Sequence, residues 1–231
     1  MKEKLKELER KIGVKFNDIH YYERAFTHSS YANEQDDDLH PDNERVEFLG
    51  DAVVGLVVST HLFKKFPELS EGELTKYRAS IVREASLADF ATKLDLADYI
   101  LLGRGEEQSG GRTRISLLAD LFEAFVGALY LDLGLAAVES FFASNIFSRL
   151  DRETLMLMRD FKSDLQEYIQ KNNLGKISYH LISQVGPAHE IQFTSEVRLD
   201  DRPLGCGIGG SKKESEQGAA REAFLLLTMS E

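Results

Sequence analysis

A chain of 231 residues with 42% hydrophobic residues has material for one larger and one smaller domain, each with its own core. Its one cysteine, Cys206, excludes an intrachain disulfide framework and points to a reducing, cytoplasmic setting. The net charge of −11 argues against a simple basic nucleic-acid binder: either the partner is not a polyanion, or the acids collect where a cation binds.

Met1 to Lys11 alternates Lys and Glu and has no apolar core, unlike a signal peptide. Leu5, Leu8 and Ile12 in this stretch form one helical stripe. Asn17 is a candidate cap for a helix running to about Thr27, and Glu44 to Phe66 reads as a long helix stopped near Pro67. Ser70-Glu71-Gly72-Glu73 fits a capping box that opens an amphipathic helix to about Leu94. Gly103 to Arg114 reads as a polar loop, followed by helices over Ile115–Leu133 and Leu135–Leu150. The most apolar stretch, Leu117 to Leu131, is interrupted by Asp120 and Glu123 and is short for a bilayer, so no membrane partner is expected. No strand pattern stands out in residues 1–150. A charged linker is expected over 151–159.

The remainder, 160–231, changes character. Asp160 to Asn172 reads as a helix. Ile177, Tyr179, Leu181, Ser183 and Val185 then alternate with mostly polar neighbours, as do Ile191, Phe193, Ser195, Val197 and Leu199. Gly186-Pro187 supplies a turn between them, Pro203 to Ile208 a third strand, and Lys212 to Met229 a closing Ala-rich helix. The expected architecture is therefore multidomain: an all-α domain followed by a small α+β domain of order α-β-β-β-α.

Acidic residues carry the chemistry. Glu44, Glu47 and Asp51 stand at i, i+3 and i+7, within roughly 60° of one another on a helix. A solvated acidic face explains such a stripe equally well. Asp120 and Glu123 resist that explanation, because their helix is apolar almost all round and burial raises the cost of their charges. Either a hard divalent ion holds them ionised or Arg or Lys pairs with them, and spacing leaves both open. A divalent ion held by carboxylates suits phosphodiester hydrolysis.

The segment Asn43-Glu44-Arg45-Val46-Glu47-Phe48-Leu49-Gly50-Asp51-Ala52 closely resembles the signature of the ribonuclease III family, and Leu118-Ala119-Asp120-Leu121-Phe122-Glu123-Ala124 resembles its second acidic segment. Val46 stands where Leu is more usual, and Pro41-Asp42 is less typical. The resemblance implies an endonuclease domain over 1–150 whose metal cluster is Glu47, Asp51, Asp120 and Glu123. Asp51 and Glu123 would be central to catalysis, and Mg²⁺ the ion, with Mn²⁺ as a substitute. Glu44 and Glu71 match secondary acidic positions near the subunit interface and RNA. The family's domain is a homodimer that cuts both strands of duplex RNA, leaving 5′-phosphate and 3′-hydroxyl ends with short 3′ overhangs. It processes ribosomal RNA precursors and other structured transcripts. Phe48 would insert into the partner subunit. His28 would be a structural or capping residue.

Residues 160–231 carry a net charge of −3, so the basic signal is local. Ser211-Lys212-Lys213 opens a helix, and two Lys beside free backbone N–H groups make a phosphate site. The segments Phe161 to Glu167, Gly186 to His189 and Gly209 to Gln217 resemble the three contact regions of the double-stranded-RNA-binding domain. By that resemblance Gln166 and Glu167 face one minor groove and Pro187 to His189 the next. Ser211, Lys212 and Lys213 touch the phosphates between, a reading of A-form shape. Gly210 and Phe161 depart from the usual residues there.

Overall fold

The computed structural model describes residues 2–35, 41–149, 160–187 and 190–228. The chain divides into two units, Met1–Arg159 and Asp160–Glu231, each with a separate hydrophobic core. The expected linker, 151–159, lies outside the described residues.

Among the described residues the first unit is helical, with one isolated bridge between Thr27 and Leu101. Helix α1 (Lys2–Ile12) buries its Leu5, Leu8 and Ile12 stripe. Helix α2 (Ile19–Ala25) is capped by Asp18, whose carboxylate accepts the His20 N–H, and not by Asn17. The backbone amides of Asn17 and Asp18 both donate to Asp132, which anchors the turn before the helix. A short helix not expected from the sequence, α3 (Ser29–Gln35), starts at His28: the Nδ1 of that ring accepts the Ser30 N–H at 3.1 Å. The capping role expected for His28 is thus visible in its hydrogen bonds.

Helix α4 (Glu44–Lys65) follows. It is long and apolar enough to cross a membrane, but Val46, Val53, Val54, Val57, Val58 and Leu62 are buried in the protein core. The capping box at Ser70 forms as expected and opens α5 (Glu71–Val82). The single helix expected to run to Leu94 is broken at Arg83, whose backbone is extended, and α6 (Glu84–Lys93) begins anew. Ser86 stabilises the break, donating to the Ser80 carbonyl and accepting from Arg83 Nε. The expected loop at 103–114 is mostly ordered into helix α7 (Arg104–Gln108) and a 3₁₀ turn at Gly111–Thr113. Arg112 fastens it, donating to both Glu107 oxygens and to the carbonyls of Ala97 and Ile100.

Helix α8 (Ile115–Leu133) is the centre of the unit and is buried on nearly all sides, including Leu121, Phe122, Phe125 and Val126. Helix α9 (Leu135–Asn145) is shorter than expected and ends in a 3₁₀ turn at Phe147–Arg149.

In the second unit α10 (Phe161–Lys171) precedes an antiparallel sheet of order β1-β2-β3, formed by Ile177–Val185, Gln192–Leu199 and Arg202–Gly209. Helix α11 (Lys212–Thr228) closes the chain. This is the α-β-β-β-α order. Phe161, Leu165, Val197, Ala219, Ala220 and Ala223 form the core between helices and sheet. The alternation expected through β1 is interrupted by a bulge between Leu181 and Ser183, which leaves Leu181 and Val185 exposed.

Candidate functional site

Two glycines set the site geometry. A Cβ on Gly50 of α4 would stand 1.8 Å from the Glu123 carbonyl oxygen of α8, and one on Gly127 of α8 would stand 2.3 Å from the Val46 carbonyl of α4. The helices therefore cross backbone to backbone, with each glycine under the other helix. The crossing brings the acids on α4 against those on α8. Glu47, Asp120 and Glu123 each present a carboxylate oxygen within 4.8 Å of the other two.

No Lys or Arg forms an ion pair with these three acids among the described residues. The Arg or Lys pairing that the spacing also allowed is not seen among the described residues. Burial, then the charges of Asp120, Glu44 and Asp51, push the Glu47 carboxyl up to about 7. Burial, then Asp51, Glu47 and Asp120, do the same to Glu123, also to about 7. Asp120 is raised by burial and Glu84, with His28 opposing. Three converging oxygens with disfavoured negative charge, and no Lys or Arg ion pair among the described residues, fit a hard divalent cation.

Asp51 lies outside the close trio. It is exposed, yet its charge acts on both Glu47 and Glu123. Glu44 is exposed in the first turn of α4. Glu71 stands far from the trio in its own chain, about 20 Å along the α4 axis. It lines a cavity of ≈ 440 Å³ between α4 and α5, with Ser59, Leu62, Phe63 and Leu74 among its neighbours. Glu84 was not singled out by the sequence. It lies 36 residues before Asp120, and only the packing of α6 on α8 brings the two charges together.

Phe48 is 81% exposed, and Leu56 and Phe63 on the same side of α4 are 52% and 71% exposed. These residues fall within roughly 80° on the helix, so α4 carries an uncovered apolar stripe beside the acids.

In the second unit Gln166, Glu167, Pro187, Ser211, Lys212 and Lys213 are all exposed, while His189 lies outside the described residues. The backbone donors at the start of α11 are not all free, contrary to expectation. Ser211 Oγ accepts the Glu214 N–H at 3.2 Å, and Glu214 Oε2 accepts the Gly210 N–H at 2.9 Å. Ser211-Lys212-Lys213-Glu214 is a helix-start pattern that closes on itself.

Residues 18–150 match the family model described as ribonuclease-III-like, and residues 161–227 match the double-stranded RNA binding motif. The chain is 53% identical over 224 residues to a protein named Ribonuclease 3 from Geobacillus sp. (strain WCH70), covering 97% of this chain and 91% of that one. It is 51% identical to Ribonuclease 3 of Bacillus cereus (strain AH187) over 226 residues, covering 98% and 92%. A solved nuclease domain of ribonuclease III from Campylobacter jejuni superposes with a TM-score of 0.57 at 38% identity, over 62% of this chain and 96% of that one. That structure was described for flexibility in a region involved in dimer formation.

Proposed function

The chain belongs to the ribonuclease III family, and we propose that it is a divalent-metal-dependent endoribonuclease of double-stranded RNA that works as a homodimer. The observation that carries the reading is the uncompensated trio Glu47, Asp120 and Glu123, in a chain that also contains a double-stranded RNA binding motif. Residues 1–150 form the nuclease domain, 151–159 the linker and 160–231 the RNA-binding domain in this reading.

Glu47, Asp120 and Glu123 would hold Mg²⁺, or Mn²⁺ in its place, which when bound would supply water activation and charge neutralisation at phosphorus. The trio supplies the oxygen donors, and Glu47 and Glu123 must be ionised to serve. Asp51, exposed at the edge, completes the donor set toward solvent and helps orient the water. The reading assigns acid–base work to no histidine, and His28 is engaged in capping α3. Cleavage by water leaves 5′-phosphate and 3′-hydroxyl ends, since the 2′-hydroxyl is not the nucleophile. Staggered cuts from two such sites give short 3′ overhangs on rRNA precursors and other structured transcripts.

The apolar stripe on α4 is the dimer face. An isologous two-fold pairs α4 with its copy in opposite directions about Gly55 and Leu56. Phe48 then meets the partner subunit's Phe63 and enters the cavity between α4 and α5. Glu71 lines the same cavity, so this pairing sets it beside the neighbour's Glu44 and Glu47.

Incubating pure protein with long duplex RNA tests the core claim. Cleavage in Mg²⁺, none in EDTA, and 5′-phosphate products are expected. Cleavage that persists in EDTA would refute it.

A further inference from the structure

The basic residues of the second unit are unequal. Lys213 is exposed and makes no ion pair among the described residues. Lys162, in the first turn of α10, is held by Glu216 at 2.6 Å and lies 4.5 Å above the Tyr179 ring centroid. Lys212 reaches the other oxygen of the same carboxylate at 4.0 Å. One carboxylate thus stands between two ammonium groups. A phosphate takes up the same arrangement between lysines, with oxygens toward both.

The position matters as much as the pairing. Lys162 lies one turn above Gln166 on the same side of α10, about 6 Å along the helix. Glu216 lies one turn below Lys212 on α11. The four residues make a continuous strip from Gln166 through Lys162 and Glu216 to Lys212. The lysine side chains are 35% and 64% exposed, while Glu216 is only 15% exposed. The acid lies under the lysines, which leaves them on the side an approaching backbone meets first. The N-terminus of α10 is tied to α11 as well, since Gln217 accepts the Lys162 N–H and donates to Asp160. The strip is therefore a fixed surface.

We propose that Lys162 is a third phosphate-contacting lysine of the duplex interface, and that Glu216 masks it together with Lys212 until phosphate displaces the carboxylate. This rests on the duplex-binding reading above. Glu216 then sets the affinity: every duplex must compete with an acid already seated between two of the three lysines. Both lysines keep part of their surface in water, so solvent screens their pairing with Glu216 and the mask lowers affinity modestly without preventing binding.

The test measures binding of the full chain to a duplex in EDTA, by fluorescence anisotropy across a salt series. Glu216→Gln keeps the shape and removes the charge. It should tighten binding about threefold to fivefold and steepen the salt dependence, since no displaced carboxylate is left to take up cations as the phosphate's counterions are released. Unchanged or weaker binding overturns the mask. Lys162→Met keeps the stem over Tyr179 and should weaken binding about threefold to tenfold, with a shallower slope by about one phosphate. Binding equal to that of the unaltered chain removes Lys162 from the interface. Lys213→Ala separates the two levels. If it fails to weaken binding, the duplex-binding surface itself is misassigned and the inference falls with it. If it weakens binding while the other two variants change nothing, only the inference fails.

Discussion

Replacing Gly50 with Ala tests whether the α4–α8 crossing is what assembles the acids. The added Cβ would lie 1.8 Å from the Glu123 carbonyl oxygen and 2.5 Å from its carbon. Carbon and oxygen rest comfortably at roughly 3.3–3.6 Å, so the helices must part by about 1.5 Å. The obstacle is backbone in the middle of a buried helix and has no rotamer to escape into. Overpacking of this kind costs about 3 kcal/mol, offset by about 1 kcal/mol of better helix propensity. A net loss of about 2 kcal/mol should appear in urea melts of the metal-free protein. The larger effect falls on catalysis. Glu123 moves with α8 and Glu47 with α4, so the donor set opens by more than an ångström, and cleavage in saturating Mg²⁺ should fall about 100-fold. Gly72→Ala is the control: Gly72 is exposed in the first turn of α5, and its added Cβ meets nothing within 4 Å. It should keep full stability and cleavage. If Gly50→Ala melts and cuts like the unaltered chain, the glycine crossing does not position the site.

Glu47 and Glu123 have folded-state values raised from 4.5 to about 7, so the fold binds protons that the unfolded chain releases. The metal-free protein should therefore lose stability as pH rises from about 4.5 through about 7, and Glu123→Gln should flatten that fall; a melting temperature that climbs through this window would contradict the assignment. The same variant should still bind duplex RNA on a gel yet lose cleavage about 100-fold or more in Mg²⁺, and cleavage at the unaltered rate would exclude Glu123 as a ligand. Phe48→Ala should weaken dimerisation by about 3 kcal/mol per ring, read by sedimentation together with cleavage; an unchanged dimer would place the interface elsewhere. Asp200 and Asp201 form the β2–β3 turn at φ 46° and 67°, a left-handed pair that favours Asp-Gly. Asp201→Gly should thus stabilise the chain by about 0.5–1 kcal/mol, and a lower melting temperature would speak against that turn.

Local signals were legible where the physics is local. The Ser70 capping box, the Leu5-Leu8-Ile12 stripe and the order of strands follow from neighbouring residues, and the structure has them where the spacing puts them. The break at Arg83 was not legible, because no Gly or Pro marks it. It depends on Ser86 reaching back six residues to the Ser80 carbonyl. The ordered segment 103–114 likewise rests on Arg112 gripping carbonyls of Ala97 and Ile100, which polar composition disguises as a loop. At the site, the apolar surroundings of Asp120 and Glu123 made them stand out. The contribution of Glu84 did not, since it exists only through the packing of α6 on α8. Gly50 lies within the signature segment, but its role as a contact point, like that of Gly127, shows only in the crossing; the added Cβ of Gly55, five residues on, meets nothing within 4 Å.

The net charge of −11 is a constraint on any account of RNA binding here, and the two units meet it differently. In the first unit the acids are arranged to be neutralised from outside. Glu47 and Glu123, held near 7, lose part of their charge to protons in the metal-free state, and a divalent cation would replace those protons as it binds. In the proposed metal-bound state a phosphate would approach cation, not carboxylate. In the second unit a charge of −3 remains to be overcome by geometry. Lys213 makes no ion pair among the described residues and lies on the surface, while Glu214, exposed beside it, is engaged in accepting the Gly210 amide. Sign and magnitude of total charge therefore say little about whether this chain meets a polyanion. What decides it is which charges face outward and which are already answered within the fold, and those are properties of a few hydrogen bonds at the start of α11 and one helix crossing in the nuclease unit.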